Sequence, residues 1–160
     1  MNLPVSIQAL NTYRPEQVAA ALETLLAPLG GMAAFVRPGQ KVLIKPNLLA
    51  VKSPEKAVTT HPEIVRQTIL LAQACGGIVS VGDSPGLGKA ETVARKAGIL
   101  QVIHETGAHF VPFEDSTTIH PQGTTFHSLE IASAILEADV IINLPKLKTH
   151  QMMGLTAAVK

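Results

Sequence analysis

Short apolar runs rich in β-branched residues alternate along this chain with longer segments of helical periodicity. The runs at residues 41–44, 78–81 and 140–143 are too short for helices, and glycine, proline or polar residues bound each of them. Between the first two runs, Pro62–Ala74 carries apolar side chains at helical spacing and is followed by Gly76-Gly77. Strands that alternate with helices predict the α/β class, a mainly parallel sheet with helices on both faces.

Weaker patterns predict the remaining elements. Further strands are predicted at residues 5–10 and 108–111, with an edge strand at 126–131 and no strand after residue 143. Further helices are predicted at residues 15–29, 90–97 and 99–105. Residues 112–125 are predicted to form an irregular excursion or a small lid. We therefore expect residues 1–160 to form a single α/β domain.

Composition excludes several classes of protein. The net charge of +1 argues against a general nucleic-acid or membrane-surface binder, and we expect neither partner. The single Cys75 excludes an internal disulfide, and it excludes an iron–sulfur cluster or thiolate zinc site built from this chain alone. The histidines lack metal-ligand spacing, so no metal site is predicted. One cysteine and no secretory signal pattern lead us to expect a cytoplasmic protein.

Polar residues follow two of the predicted strands directly. Lys45 and Asn47 leave the first strand around Pro46, which holds Lys45 extended. Lys45 would clamp a phosphate or carboxylate and Asn47 would donate a hydrogen bond to it; the alternative is a solvated lysine beside an asparagine turn. Asp83 and Ser84 follow the strand at 78–81. Asp83 is a candidate acid/base, with a role as turn former or helix cap as the alternative, and Ser84 is a candidate ligand contact.

The glycine-rich loop at residues 82–89 is not a nucleotide loop. Its sequence G-D-S-P-G-L-G-K is one residue too long for the phosphate-loop template, and Ala90 stands where that template needs a hydroxyl. Thr59, Thr60 and His61 precede the helix Pro62–Ala74. Thr60 or His61 is predicted to cap the helix, and the alternative for one hydroxyl and for His61 is contact with a ligand at the positive helix end. We assign Thr60 to the candidate ligand-binding set.

The strongest cluster lies after the last predicted strand. Lys146, Lys148 and His150 are spaced two apart, so they share a face of an extended segment. We expect Lys146 and His150 to be catalytic, with Lys148, the neighbouring Thr149 and Lys160 binding the ligand. A plain basic surface loop is the alternative. Because ligands bind beyond the carboxyl ends of parallel strands, Lys45, Asp83 and Lys146 are predicted to meet at one edge of the sheet.

Five motifs together resemble the domain of unknown function family numbered 362. They read V-L-I-K-P-N-L-L (42–49), T-T-H-P-E (59–63), G-D-S-P-G (82–86), I-N-L-P-K-L-K-T-H (142–150) and T-A-A-V-K (156–160). Ala157 departs from the glycine common in the family. The resemblance implies that the chain is the N-terminal part of a larger domain truncated at Lys160. It also implies a 4Fe–4S cluster or ferredoxin-like segment in the remaining part, with no cofactor carried by this chain.

Two functions are compatible with these features. The first is binding of a small anionic ligand at the carboxyl edge of the strands, within an iron–sulfur-linked redox protein whose reaction is not established. The second is a non-catalytic adaptor that docks a partner protein or the remaining C-terminal half. A near-neutral net charge and few stacking aromatics disfavour the basic loop as a nucleic-acid contact.

Overall fold

The computed structural model of the protein describes residues 4–158. Its helices are α1 (Pro15–Leu26), α2 (Pro62–Ala74), α3 (Ala90–Lys96), α4 (Ile99–Thr106) and α5 (Ser133–Leu136). Its strands are β1 (Lys41–Pro46), β2 (Ile78–Val81), β3 (His109–Phe110), β4 (Ser116–Ile119), β5 (Leu129–Ala132), β6 (Val140–Leu144), β7 (Lys148–His150) and β8 (Gly154–Thr156). Short 3-10 helices lie at Ala27–Leu29, Met32–Ala34 and Pro54–Lys56.

The main sheet has four parallel strands in the order β3-β2-β1-β6. Strand β1 is central: Val42 pairs with Val79 on one side and with Val140 on the other. Two antiparallel hairpins, β4-β5 and β7-β8, stand apart from this sheet. The α/β class predicted from the sequence is confirmed.

Side-chain alternation along the strands builds the core on one face of the sheet. Val42 and Ile44 of β1 join a buried aliphatic cluster with Ile69 of α2 and Ile103 of α4. Leu43 points to the opposite face, where it borders a small cavity together with Ala134 of α5. The apolar core is almost entirely aliphatic, as expected from the low aromatic content.

Helix α2 begins and ends where the sequence predicts. Pro62 occupies its first turn, where a missing N–H costs nothing. The side chain of His61 caps the helix by accepting a hydrogen bond from the backbone N–H of Glu63 at 3.1 Å. The cap is therefore His61, and neither Thr59 nor Thr60 performs it. After Cys75 the chain turns at Gly76, whose φ of 79° glycine adopts more readily than residues with a side chain.

Three predictions about secondary structure were wrong. Residues 5–10 form no strand, and Val5 and Ile7 are 83% and 90% exposed, because no strand edge pairs with this segment. The predicted edge strand at 126–131 is β5, which pairs with β4 inside the predicted excursion and not with the main sheet. The segment after residue 143 contains the β7-β8 hairpin, in which Thr149 pairs with Leu155.

The strand order creates a topological switch point beside β1. From β1 the chain passes through α2 to β2 on one side, whereas β6 returns to the other side of β1. In open parallel sheets the loops on either side of such a point diverge and leave a crevice beyond the carboxyl ends of the strands. The loops that follow β1 and β6 border this crevice.

Candidate functional site

Thr60 links the loop after β1 to the end of β6 at the switch point. Its hydroxyl accepts a hydrogen bond from the backbone N–H of Asn47 at 2.8 Å and donates one to the carbonyl of Leu144 at 2.6 Å. Its own N–H donates to the carbonyl of Asn47 at 3.0 Å. Thr60 is buried, and these contacts hold the end of β1 against the end of β6. Thr60 was predicted to contact a ligand; its observed contacts are all structural.

The ammonium of Lys148 lies across the crevice from β1. Its Nζ donates to Oδ1 of Asn47 at 2.6 Å and to the carbonyl of Val58 at 2.8 Å. Both acceptors are neutral, and an ammonium has three N–H donors, so one donor remains for a ligand. Burial lowers the pKa of Lys148, and the charge of Lys146 lowers it further, while the carboxylate of Asp83 opposes the shift.

A cleft of about 530 Å³ opens above this ammonium; we call it the hairpin cleft. Its walls come from the loop after β1 and from the β7-β8 hairpin. Its polar lining includes Asn47, Lys56, Lys148, Thr149 and His150. No carboxylate lines it among the described residues, so the electrostatic field inside favours an anion.

His150 and Thr156 shape the hairpin that forms one wall. Nδ1 of His150 accepts hydrogen bonds from the backbone N–H groups of Met152 and Met153, each at 3.2 Å. The hydroxyl of Thr156 is buried and donates to the carbonyl of Lys146 at 2.8 Å. The Nδ1 atom of His150 is therefore committed to the turn, and its Nε2 atom is the one available to a ligand.

Lys45 and Asp83 neutralise one another. Lys45 Nζ lies 2.6 Å from one carboxylate oxygen of Asp83, and the other oxygen accepts the N–H of Leu48 at 2.9 Å. Asp83 is only 4% exposed. The structure places Lys45, Asp83 and Lys146 at the carboxyl edge of one sheet, as predicted. It also shows that Lys45 already has a counter-ion and that both Asp83 oxygens are occupied.

Lys146 lines a second cleft, of about 430 Å³, which we call the helix cleft. This cleft lies between α1 and the end of β6. The rings of Tyr13 and His61 stack in it with centroids 3.6 Å apart and planes 6° from parallel. Burial lowers the pKa of His61, which favours the neutral ring that the capping contact needs. Lys146, Lys148 and His150 are all half-buried along one extended segment, but they serve two clefts.

Two of the predicted site residues lie elsewhere. Ser84 is exposed and borders neither cleft. Lys160 lies outside the described residues. Two further groups at the clefts, the carbonyl of Val58 and the ring of Tyr13, were not predicted. A backbone acceptor has no sequence signal, and a lone tyrosine before a helix belongs to no motif.

Within residues 4–158 no cluster of three or more His, Cys, Asp or Glu side chains is arranged to hold a metal ion. The one cysteine, Cys75, is a half-buried free thiol and cannot by itself hold an iron–sulfur cluster. No helix in the described part of the chain has the length and apolarity needed to cross a bilayer.

These features define a class: an open, parallel α/β domain with two clefts at its switch point, each lined by at least one lysine and, among the described residues, by no carboxylate. The chain belongs to the family described as Domain of unknown function, DUF362, whose model matches residues 42–160. It is 39% identical over 156 residues to the thylakoid-associated protein sll1697 of Synechocystis sp.. That alignment covers 98% of this chain and 48% of the relative, so the chain spans about half the length of this relative. No solved structure matches the chain.

Proposed function

We propose that this domain binds a small anionic molecule, a phosphate or carboxylate, in the hairpin cleft. The observation that carries the proposal is the environment of Lys148. Its side chain is half-buried, and among residues 4–158 its ammonium donates hydrogen bonds only to neutral oxygens, those of Asn47 and Val58. A desolvated charge without a counter-ion in contact is costly, and an anion beside it would offset that cost.

Lys45 is a weaker candidate for the anion contact than Lys148. Both lysines lie near strand ends, but the charge of Lys45 is cancelled by Asp83 at 2.6 Å. An incoming anion would have to displace that carboxylate, whereas at Lys148 it need only accept a free N–H. Lys56, Thr149 and the Nε2 atom of His150 offer further donors around the same cleft. We therefore assign Lys148 as the main anion contact and Lys45 as a structural partner of Asp83.

A catalytic role for Asp83, Lys146 and His150 stays a prediction. The contacts of Asp83 favour a positioning role, because its two oxygens hold Lys45 and the loop after β1. His150 is better placed for catalysis, since its ring borders the hairpin cleft.

We further propose that the domain works within a larger iron–sulfur-linked redox protein. Family resemblance supports this, and the chain's match to only 48% of its relative leaves room for a further segment. The 4Fe–4S cluster would be held outside this chain, because Cys75 is the only cysteine here. We propose a cytoplasmic location; fractionation of cells producing the full-length protein tests it, and recovery with membranes would favour the association that the relative's name states for that relative.

Sulfate titration of the chain tests the anion site. Replacing Lys148 with Met should weaken sulfate binding about ten- to hundredfold, since a charge-assisted hydrogen bond is lost. Lys96→Met, at an exposed position on α3, removes the same charge away from the cleft and should leave the affinity within about twofold. Calorimetry measures both, and circular dichroism checks folding. Equal affinity in wild type and Lys148→Met would remove this cleft as the anion site.

A second candidate is the adaptor function, favoured by the apolar tip of the β7-β8 hairpin. Met152 is 87% exposed and Met153 63%, and Leu155, two residues further along the chain, is exposed as well. Exposed apolar clusters mark contact surfaces. The double change Met152→Ser with Met153→Ser should weaken association with the C-terminal part of the full-length protein, while Lys148→Met should leave it intact. Unchanged association in the double variant would overturn the adaptor function of this hairpin tip.

A further inference from the structure

We propose that the helix cleft is a second binding site, and that it takes an amphiphilic carboxylate, with an apolar body against α1 and its carboxylate at Lys146. This inference goes beyond the proposed function, because the helix cleft and the hairpin cleft are lined by different parts of the chain and share neither lysine. The inference is therefore independent of anion binding at Lys148.

The apolar wall of the helix cleft comes from α1. Ala21, Leu22 and Leu25 line it at helical spacing, and all three are half-buried although they lie on a helix at the surface. Leu10, in the segment before α1, adds to the same wall. A volume of about 430 Å³ lies in the range of small-molecule pockets, which are mostly apolar with a few placed polar groups.

A flat aromatic surface forms another part of the cleft. The stacked rings of Tyr13 and His61 present a planar wall, and the capping contact fixes the orientation of His61. Because burial keeps the His61 ring neutral, this wall adds apolar contact area without a second positive charge. The ligand predicted from it is an extended or planar hydrocarbon body.

The polar groups of the cleft lie together at the sheet edge. Lys146 is half-buried, and its ammonium has no hydrogen-bond or ion-pair partner among residues 4–158. The 13-residue helix α2 begins at the same place, so the positive end of its dipole reinforces the charge of Lys146. No Asp or Glu lines the helix cleft within the described residues. One positive group beside an apolar trough matches a ligand with one anionic head and an apolar tail.

A series of straight-chain carboxylates tests this site on the unmodified chain. Butanoate, hexanoate and octanoate share one head group, so only burial of the tail can separate their affinities. We expect affinity to rise about fourfold for each methylene buried, and octanol, which lacks the charge, to bind more weakly than octanoate. Affinities that do not change with the length of the hydrocarbon tail would overturn the proposal. The test uses the unmodified protein, so its result does not depend on whether a variant folds.

Two matched variants then locate the head group. Lys146→Met should weaken octanoate about three- to tenfold while leaving octanol unchanged, since only the ion contact is lost. Lys148→Met should leave octanoate unchanged while weakening sulfate, which separates the two clefts. Octanoate affinity that falls in Lys148→Met and persists in Lys146→Met would assign the carboxylate to the hairpin cleft and overturn this inference. Chemical-shift changes at Ala21 and Leu22 would report the position of the tail.

Discussion

Three lysines near the carboxyl edge of the main sheet have three different environments: Lys45 lies in β1, Lys146 follows β6 and Lys148 begins β7. Lys45 is paired with Asp83, Lys148 is hydrogen-bonded to neutral oxygens, and Lys146 has no partner for its ammonium among the described residues. A positive charge beyond a strand end therefore does not by itself identify an anion site. What separates the three is whether a carboxylate lies within contact distance.

The lowered pKa of Lys148 predicts how anion binding depends on pH. As pH rises through the folded-state pKa, which lies below the ordinary lysine value, the ammonium is lost and sulfate affinity should fall. Since arginine stays charged, Lys148→Arg should retain its affinity over that range, even if its geometry makes the affinity lower throughout. Calorimetric titrations at successive pH values measure this. A parallel decline in both proteins would assign the pH dependence to another group.

His61 predicts a second pH dependence, that of the folding stability. Its pKa is lowered in the folded state, mainly by burial, so on acidification the unfolded chain takes up the proton first. Stability should therefore fall as pH drops through the ordinary histidine value of about 6.5 and continue to fall until the folded-state pKa is reached. Protonation also removes the Nδ1 acceptor that caps α2, a contact worth about 1 kcal/mol.

His61→Asn is the control for this dependence, because asparagine keeps a capping acceptor and does not titrate. Urea unfolding at pH 7.5 and 5.5 should show a smaller loss of stability in the variant than in the wild type. An equal loss would mean that the other histidines produce the effect.

The sequence predicted the types of site residue but not their pairing. Two-residue spacing predicted a shared orientation for Lys146, Lys148 and His150, and all three are half-buried in the structure. The contacts that distinguish them come from distant parts of the chain: Asp83 reaches Lys45 across 38 positions, and Val58 reaches Lys148 across 90. Such partners are fixed by strand order, and one sequence does not contain that information.

Among the elements, those with local stop and start signals were predicted best. Pro62 at the start and Gly76-Gly77 after the end delimit α2, and the predicted and observed bounds agree. The segment at residues 5–10 has the period of a strand, but pairing needs a partner edge that local sequence does not reveal. The β4 strand has a partner but no strand pattern in its sequence, since Ser116, Thr117 and Thr118 are polar and exposed, and it was not predicted.

The end of β2 depends on a close backbone approach at Gly82. A Cβ built on Gly82 would lie 1.9 Å from the carbonyl oxygen of Val111, a backbone atom that cannot yield as a flexible side chain would. Gly82→Ala should therefore destabilise the protein by about 1–3 kcal/mol, because it forces β2 and the chain after β3 apart. Chemical denaturation measures this difference.

Gly86 provides the matched control four positions along the same loop. A Cβ there would meet its nearest neighbour, Leu49, at 3.6 Å, an ordinary contact distance. Gly86→Ala should change stability by less than about 0.5 kcal/mol. If the two variants proved equally stable, the approach at Gly82 would not constrain the fold.

At the scale of the whole molecule, the two hairpins should have lower local stability than the main sheet. Strands β1 and β2 are buried against α2 and α4, whereas β4-β5 and β7-β8 pair only within themselves. Hydrogen bonds of Lys148 to Asn47 and Val58 connect the β7-β8 hairpin to the loop after β1, and Thr156 donates to the carbonyl of Lys146 in the loop after β6. Segments with few buried apolar contacts open more easily than the core.

Hydrogen exchange with and without sulfate tests this division together with the anion site. Without ligand, amides in both hairpins should exchange before those of β1, β2 and α2. Sulfate at Lys148 would bridge the β7-β8 hairpin to the loop after β1, so any opening of that hairpin must release the ligand. At a sulfate concentration of 100 times Kd, exchange in β7-β8 and around Asn47 should slow by up to about 100-fold, with β4-β5 unchanged. Chloride at equal ionic strength and the Lys148→Met variant should both lack the effect. Equal protection of the two hairpins would show a general salt effect on the fold, and would mean that the anion does not join the hairpin to the sheet at the switch point.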